Sequence, residues 1–226
     1  MTISPPVHPD LAGAFAPVSD WVFDLDNTLY PPSMRLFDQI EHKMTAYVMR
    51  TLGVEAPEAD RLRDRYWRLY GTTLAGLMHE HDVDPLPFLI DVHDISFARL
   101  SPDPQLRAAI AGLPGRKIVY TNGSAPYAER VLQGRGLTGL FDGVYGVEDA
   151  LFRPKPETAA FETVFAKAGI RTACAAMFED DPRNLAAPHA MGMRTVHVAP
   201  VPAPAPHIGY HTDDLAQFLT RLRPGE

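Results

Sequence analysis

Two aspartates one residue apart, Asp24 and Asp26, close an apolar run and are followed at once by Asn27 and Thr28. A buried carboxylate without a partner is costly, so a strand ending on two of them calls for a cation, a donor or a reaction. Three further clusters share this placement. Thr121-Asn122-Gly123-Ser124 follows a second apolar run and offers a hydroxyl, backbone N–H groups and a helix start, the components of a small anion site. Lys155 stands between Pro154 and Pro156, whose rings fix the backbone and aim the ammonium. Glu179-Asp180-Asp181 ends a third apolar run with three adjacent acids. Alone, each cluster reads as a turn, a cap or a solvated surface charge. Together they complement one another. Up to five carboxylates can converge only around a cation. Oxygen ligands with room for water and phosphate suit Mg²⁺ better than zinc. Thr121 and Lys155 supply donors for a bound anion. A metal, an anion cradle and a free carboxylate nucleophile are the parts of a phosphoryl-transfer site.

These clusters need a scaffold that brings strand ends together. Trp21–Leu25, Lys117–Thr121, Ala175–Glu179 and Thr195–Val198 are short, continuously apolar runs, with Val144–Val147 as a fifth strand. Continuous apolar character predicts burial on both faces, as in a parallel sheet. Helical stripes lie between them: Phe161, Val164, Phe165 and Ala168, then Leu215, Phe218, Leu219 and Leu222 behind an N-cap at Thr212 and acids at Asp213 and Asp214. Ser124 is placed to cap a helix through Ala128, Val131 and Leu132. The alternation predicts an α/β fold with a doubly wound, Rossmann-like parallel sheet, whose ligands bind beyond the carboxyl ends of the strands. Residues 30–101 break the pattern. Phe37, Ile40, Met44, Tyr47 and Val48 form one helical stripe and Leu62, Tyr66, Leu69 and Tyr70 another. Further helices are expected over Thr73–His81 and Pro85–Ser96, with no strand among them. The expected organisation is a catalytic core of residues 1–29 and 102–226 with a helical cap, 30–101, inserted directly after the paired aspartates. The proline-rich run Ala199–Pro206 reads as an extended connector to the last helix.

A formal charge of −7 argues against a nucleic-acid polymer as partner, while leaving room for a small anion in a locally positive site. Cys174 is the only cysteine, which excludes an internal disulfide and an all-cysteine zinc site, and it reads as a small core residue. Residues 1–19 lack a basic start and are broken by Pro5, Pro6, Pro9 and Pro17, unlike a secretory signal. No apolar run approaches the ~20 residues that span a bilayer. A cytoplasmic protein without a membrane partner is the resulting expectation.

The set Asp24-Leu25-Asp26-Asn27-Thr28, Thr121-Asn122, Lys155 and Glu179-Asp180-Asp181 resembles the four motifs of the haloacid dehalogenase-like superfamily, in order and on the right elements. The helical insert holds the position of that superfamily's cap. Within it, Asp24 to Pro31, Tyr70-Gly71-Thr72-Thr73-Leu74, Tyr120 to Gly123, and Phe178 to Asp181 with Asn184 resemble pyrimidine 5′-nucleotidase-like members. The resemblance implies that Asp24 attacks phosphorus to give an aspartyl-phosphate. Asp26 then protonates the leaving alkoxide and activates water against the intermediate. It implies phosphate binding by Thr121, Asn122 and Lys155, and Mg²⁺ held by Asp24, the Asp26 carbonyl and Asp180. Glu179 and Asp181 would orient waters or neighbouring groups. Dehalogenases lack an acid at the position of Asp26, so its presence favours phosphate over halide. The implied substrate is a small phosphorylated molecule, a nucleoside monophosphate such as UMP or CMP, with Tyr70, Thr72 and Thr73 of the cap meeting the leaving group. His93 could face the site, but a helix surface is the expected place for it. The rival readings are a sugar phosphatase or phosphomutase on the same scaffold and, in a different class, a non-catalytic binding protein with this fold.

Overall fold

In a computed structural model that describes residues 10–222, six parallel strands make one sheet. They are β1 (Asp20–Phe23), β2 (Arg116–Tyr120), β3 (Gly143–Tyr145), β4 (Ala175–Glu179), β5 (Arg194–Val198) and β6 (Tyr210–Thr212). Pro5, Pro6 and Pro9, on which the reading of the N-terminal segment partly rests, lie outside the described residues. The order is β3-β2-β1-β4-β5-β6. The chain builds from β1 out to β3, then crosses back to lay β4 on the other side of β1. The strand order therefore reverses between β1 and β4, where an open α/β sheet leaves a crevice for ligands.

Both faces of the sheet are covered, which is why its strands read as unbroken apolar runs. Val22, Ile118, Tyr120 and Met177 share one core with α8 (Thr158–Ala168) and α9 (Ala186–Ala190). Trp21, Phe23, Val119, Phe178 and Val196 share the other with α6 (Pro104–Ala111), α7 (Ala125–Gly134) and α10 (Leu215–Arg221). The short α1 (Leu11–Phe15) adds Phe15, which stacks on Trp21 and meets Phe218 edge-on. Fully burying side chains of this size contributes about 1.5–3 kcal/mol each before entropy is counted.

Residues 30–101 hold α2 (Leu36–Leu52), α3 (Ala56–Tyr70), α4 (Thr73–His81) and α5 (Pro85–Val92), with no strand among them. Gly53 ends α2 at φ +66°. Gly71 (φ +86°) turns α3 into α4, and a Cβ there would sit 3.0 Å from the Lys155 carbonyl, so this turn lies directly on the loop that carries the lysine. In α2, Ile40 and Val48 are buried; in α3, Tyr66 is buried but Leu69 of the expected stripe is 62% exposed. α5 stops at Val92 rather than reaching Ser96, because Gln39 of α2 takes both the N–H and the carbonyl of Ser96.

Three other expectations change. The proline run leads into β6, a strand not foreseen, before the last helix begins. The N-cap of α10 is Asp214, whose Oδ1 accepts from the Gln217 N–H at 2.9 Å; Thr212 bonds Asp214 instead. Cys174 is only half-buried, in a short turn before β4. No helix among the described residues is long and apolar enough to cross a membrane.

Candidate active site

The carboxyl ends of β2, β1 and β4 are adjacent, and the sequence clusters meet there. Asp24 lies one residue past β1, yet its N–H still donates to the Phe178 carbonyl at 2.9 Å, which fixes its backbone against β4. Its Oδ1 accepts from Lys155 Nζ at 2.7 Å. The same ammonium donates to Glu179 Oε2 at 2.6 Å and to the Tyr120 carbonyl at 3.2 Å. Lys155 and Glu179 are each 1% exposed. Asp24 Oδ2 is buried with no protein partner. One carboxylate oxygen each from Asp24, Glu179 and Asp180 lies within 4.8 Å of the others. Asn27 donates to Asp180 Oδ2 at 3.3 Å.

Two carboxylates, Asp24 and Glu179, thus share one ammonium, with the Asp180 carboxylate close beside them. Burial, reinforced by Glu179, pushes Asp24 up to about 7 despite Lys155 beside it. Burial, Glu179 and Asp24 push Asp180 well above the usual carboxylate range. Burial by itself would lower Lys155, but Asp24 and Glu179 outweigh it and hold the ammonium above its ordinary value. The all-oxygen donor set of Asp24, Glu179 and Asp180 fits a hard divalent cation such as Mg²⁺; with both Glu179 oxygens bonded to Lys155 and the Asp181 N–H, Asp24 and Asp180 are the carboxylates that could hold it.

Asp26 is held differently. Its Oδ1 accepts from the Tyr30 and the Tyr127 hydroxyls, each at 2.6 Å. Burial and the nearby Asp24 push it up to about 6, against the pull of the two tyrosines. One of its oxygens is anchored twice, and the carboxyl borders a cavity also lined by residues of α2, α3, α4 and α5.

The residues expected to bind phosphate lie beside these carboxylates. Asn122 Oδ1 accepts from the Lys155 N–H at 2.8 Å and its Nδ2 donates to the Lys155 carbonyl at 3.1 Å. Its side chain is therefore tied to the lysine loop through both its oxygen and its nitrogen, while Asn122 still borders the cavity. Thr121 is 1% exposed, and its Oγ1 accepts from the Gly123 N–H at 2.9 Å, which leaves the hydroxyl hydrogen free to donate. Glu179 Oε1 accepts from the Asp181 N–H at 3.2 Å, while the Asp181 carboxylate turns away to Arg183 at 2.6 Å. Arg183 also stacks on the Trp67 ring at 3.5 Å and donates to its carbonyl, tying α3 to the segment after β4.

Above Asp26 lies a cavity of about 410 Å³. Thr72 and Thr73 line it; Thr72 also caps α4, accepting from the Ala75 N–H at 3.1 Å. Tyr70 does not line it. That hydroxyl donates to Glu80 at 2.9 Å, near the C-terminal end of α4. His93 is a correction: it is 7% exposed, stacks on Tyr127 at 4.3 Å and borders the cavity.

Residues 22–192 match the haloacid dehalogenase-like hydrolase family. The chain belongs to that family. Phosphate metabolism protein 8 of Saccharomyces cerevisiae is 29% identical over 188 residues, covering 76% of this chain. The chain spans only 58% of that relative's length. Among solved structures, a HAD phosphatase from Thermococcus onnurineus superposes with a TM-score of 0.61 at 17% identity, over 91% of this chain and 98% of the other. A 2-haloacid dehalogenase from Pseudomonas syringae gives 0.56 at 20% identity, over 91% and 98%. YfnB from Bacillus subtilis, bound to magnesium, gives 0.57 at 14% identity, over 92% and 99%. These likenesses establish the fold of this haloacid dehalogenase-like hydrolase.

Several site residues of this hydrolase escape sequence reasoning. Tyr30 and Tyr127 are the partners of Asp26, and only Tyr30, four residues away, stood close enough to be suspected. His197 on β5 sets its Nε2 2.9 Å from the Asp180 carbonyl, although nothing in its own run marks it. Glu41, Asp60 and Arg63 line the cavity from two different helices, and their meeting depends on how those helices pack.

Proposed function

We propose that this hydrolase is a Mg²⁺-dependent phosphomonoesterase acting through an aspartyl-phosphate on Asp24, with pyrimidine nucleoside monophosphates such as UMP and CMP as substrates. Residues 30–101 serve as its cap over a core of 1–29 and 102–226. The observation that carries the reading is the unlike treatment of two neighbouring carboxylates. Asp24 has one oxygen on Lys155 and one without a partner, the arrangement of an aimed nucleophile. Asp26 has one oxygen fixed by two tyrosines and borders the cavity, the arrangement of a positioned proton donor. An alkoxide leaving group needs that proton; a halide does not.

In this scheme Asp24 Oδ2 attacks phosphorus while Asp26 gives its proton to the departing oxygen. Asp26, now ionised, takes a proton from the water that cleaves the acyl phosphate and returns to its starting state. Such proton transfer contributes about 10²–10⁴-fold. Phosphate-monoester hydrolysis can demand ~10²¹, so charge stabilisation and positioning must supply most of the rest. The Thr121 hydroxyl and the backbone N–H groups after β2 would face the transferring oxygens, while Lys155, whose three N–H groups go to Asp24, Glu179 and the Tyr120 carbonyl, would offset their charge at short range. The Asp24 and Asp180 carboxylates and the Asp26 carbonyl would hold Mg²⁺, which when bound offsets charge on the phosphoryl group.

The name of the yeast relative, with phosphate metabolism in it, agrees with this chemistry. A cavity of about 410 Å³ lies within the 300–1,000 Å³ range of small-molecule sites. The test is phosphate release from UMP, CMP, ribose 5-phosphate, glucose 6-phosphate and an aryl phosphate, with Mg²⁺ and with EDTA. We expect EDTA-sensitive turnover that favours UMP and CMP and collapses in Asp24→Asn and Asp26→Asn. Preference for the sugar phosphates would overturn the substrate. Wild-type turnover in both variants would overturn the mechanism.

A further inference from the structure

Two helical stripes wall the cavity opposite Asp26. α2 presents Phe37, Ile40, Glu41 and Met44, and α3 presents Asp60, Arg63, Asp64 and Trp67, both at the i, i+3, i+4, i+7 spacing of a single helix face. Apolar side chains dominate the first stripe and charge the second. Arg63 sits at their junction with its side chain 15% exposed. Its Nη1 donates to Thr45 Oγ1 at 2.7 Å and lies 3.4 Å from Asp60 Oδ1; its Nη2 donates to Glu41 Oε1 at 3.3 Å. Its Nε–H is buried with no partner. A buried guanidinium N–H left unpaired is expensive, and native structures seldom leave one without a ligand or a role.

Charge narrows the choice of ligand. Glu41 and Asp60 flank the one guanidinium on this wall, and Asp64, which accepts from Arg68 at 3.0 Å, lies beside them, so the wall stays net acidic even with Arg68 counted. A leaving group carrying a second phosphate or a carboxylate would meet repulsion there. One that is uncharged, with a carbonyl for Arg63 and N–H groups for the acids, would be accepted.

We propose that Arg63, with Glu41, is the specificity determinant of this site. It reads the carbonyl and N–H edge of an uncharged heterocyclic leaving group, and the acidic wall rejects anionic ones. This rests on the phosphomonoesterase reading above. A hydrogen bond to a charged group corresponds to about ten- to a hundredfold in affinity.

The experiment compares Arg63→Lys and Glu41→Gln with the wild type in two independent assays. In turnover, the ratio of kcat/KM for UMP over ribose 5-phosphate should fall at least tenfold in Arg63→Lys, through KM; an unchanged ratio would overturn the proposal. In calorimetry, uridine, which carries no phosphate, should bind the wild type at least tenfold more tightly than either variant. Equal binding would overturn it. The wild type should also hydrolyse 2-phosphoglycolate at under a tenth of its UMP efficiency, and parity would refute the charge argument. Glu41→Gln guards against an Arg63 variant that fails only because α2 and α3 separate. Failure of the phosphatase reading would show itself elsewhere, as absent or EDTA-insensitive release from the aryl phosphate, while the uridine arm would still judge the cap wall.

Discussion

A divalent cation held by the carboxylates around Lys155 would make the stability of this protein depend on it, and the dependence has a sign that can be worked out. Without a cation, Asp24 stands at about 7 against an ordinary 3.8. The folded state therefore holds a proton that the unfolded chain would release. A raised carboxyl of this kind contributes stability that is fully present below about pH 4 and is lost as pH rises toward 7. At about 1.36 kcal/mol for each pKa unit, the loss from Asp24 is about 4 kcal/mol, with Asp26, at about 6, adding to it. A cation reverses this, because it binds the ionised carboxylates and only in the folded state. At one hundred times its dissociation constant it adds about 2.7 kcal/mol. A chain of this size gains roughly 2–4 °C per kcal/mol, so the melting temperature should rise by roughly 5–11 °C. Differential scanning fluorimetry with Mg²⁺ and with EDTA at pH 5 and pH 8 reads this directly. The increment should be close to nothing at pH 5 and full at pH 8. It should be absent in Asp180→Asn. A melting temperature indifferent to Mg²⁺ at pH 8, or an increment of equal size at pH 5, would refute the reasoning.

Lys155→Met removes the only ammonium from a fully buried cluster and should cost about 3–5 kcal/mol in urea unfolding without a cation at neutral pH, less at pH 5 where Asp24 is protonated. His93, which burial lowers to about 4, is held neutral; its contribution of about 3 kcal/mol is complete above its ordinary 6.5 and is lost as pH falls toward 4. Its imidazole resonances in an NMR titration should accordingly stay flat down to about pH 5, and a midpoint above 6 would contradict the burial. Gly76→Ala should cost about 1–3 kcal/mol by thermal unfolding, because its Cβ would collide with the Tyr66 ring where α4 crosses α3. Tyr127→Phe leaves Asp26 Oδ1 with one hydroxyl instead of two and should lower kcat for UMP severalfold with little change in KM, measured at saturating substrate.

What could be read in advance followed from chemistry confined to short stretches. The apolar runs around Val22, Ile118 and Met177 located their strands because burial on both faces leaves no alternation to confuse with a helix. β6 was missed for the opposite reason: its three residues are half-buried, and it owes its existence to pairing with β5 at the sheet edge. The acids at 24, 26 and 179–181 announced a meeting of carboxylates because their cost is visible residue by residue. Partners contributed from far along the chain left no such mark. Asn122 grips the backbone of Lys155, Tyr127 reaches Asp26 across 101 positions, and His93 is buried by a ring that the sequence places elsewhere. The Arg63 to Glu41 contact is likewise a product of helix packing, which periodicity predicts only as two separate stripes.

The stacking of Arg183 on Trp67, the seating of Gly71 against the lysine loop, the stacking of His93 on Tyr127 and the Arg130 guanidinium over the Phe97 ring fasten the helical insert to the sheet domain at separate points. A cation–π contact of this kind is worth about 0.5–2 kcal/mol. Under the phosphatase reading, such a seam would part at one contact while the others hold, so that an alcohol could leave and water enter without any dedicated gate.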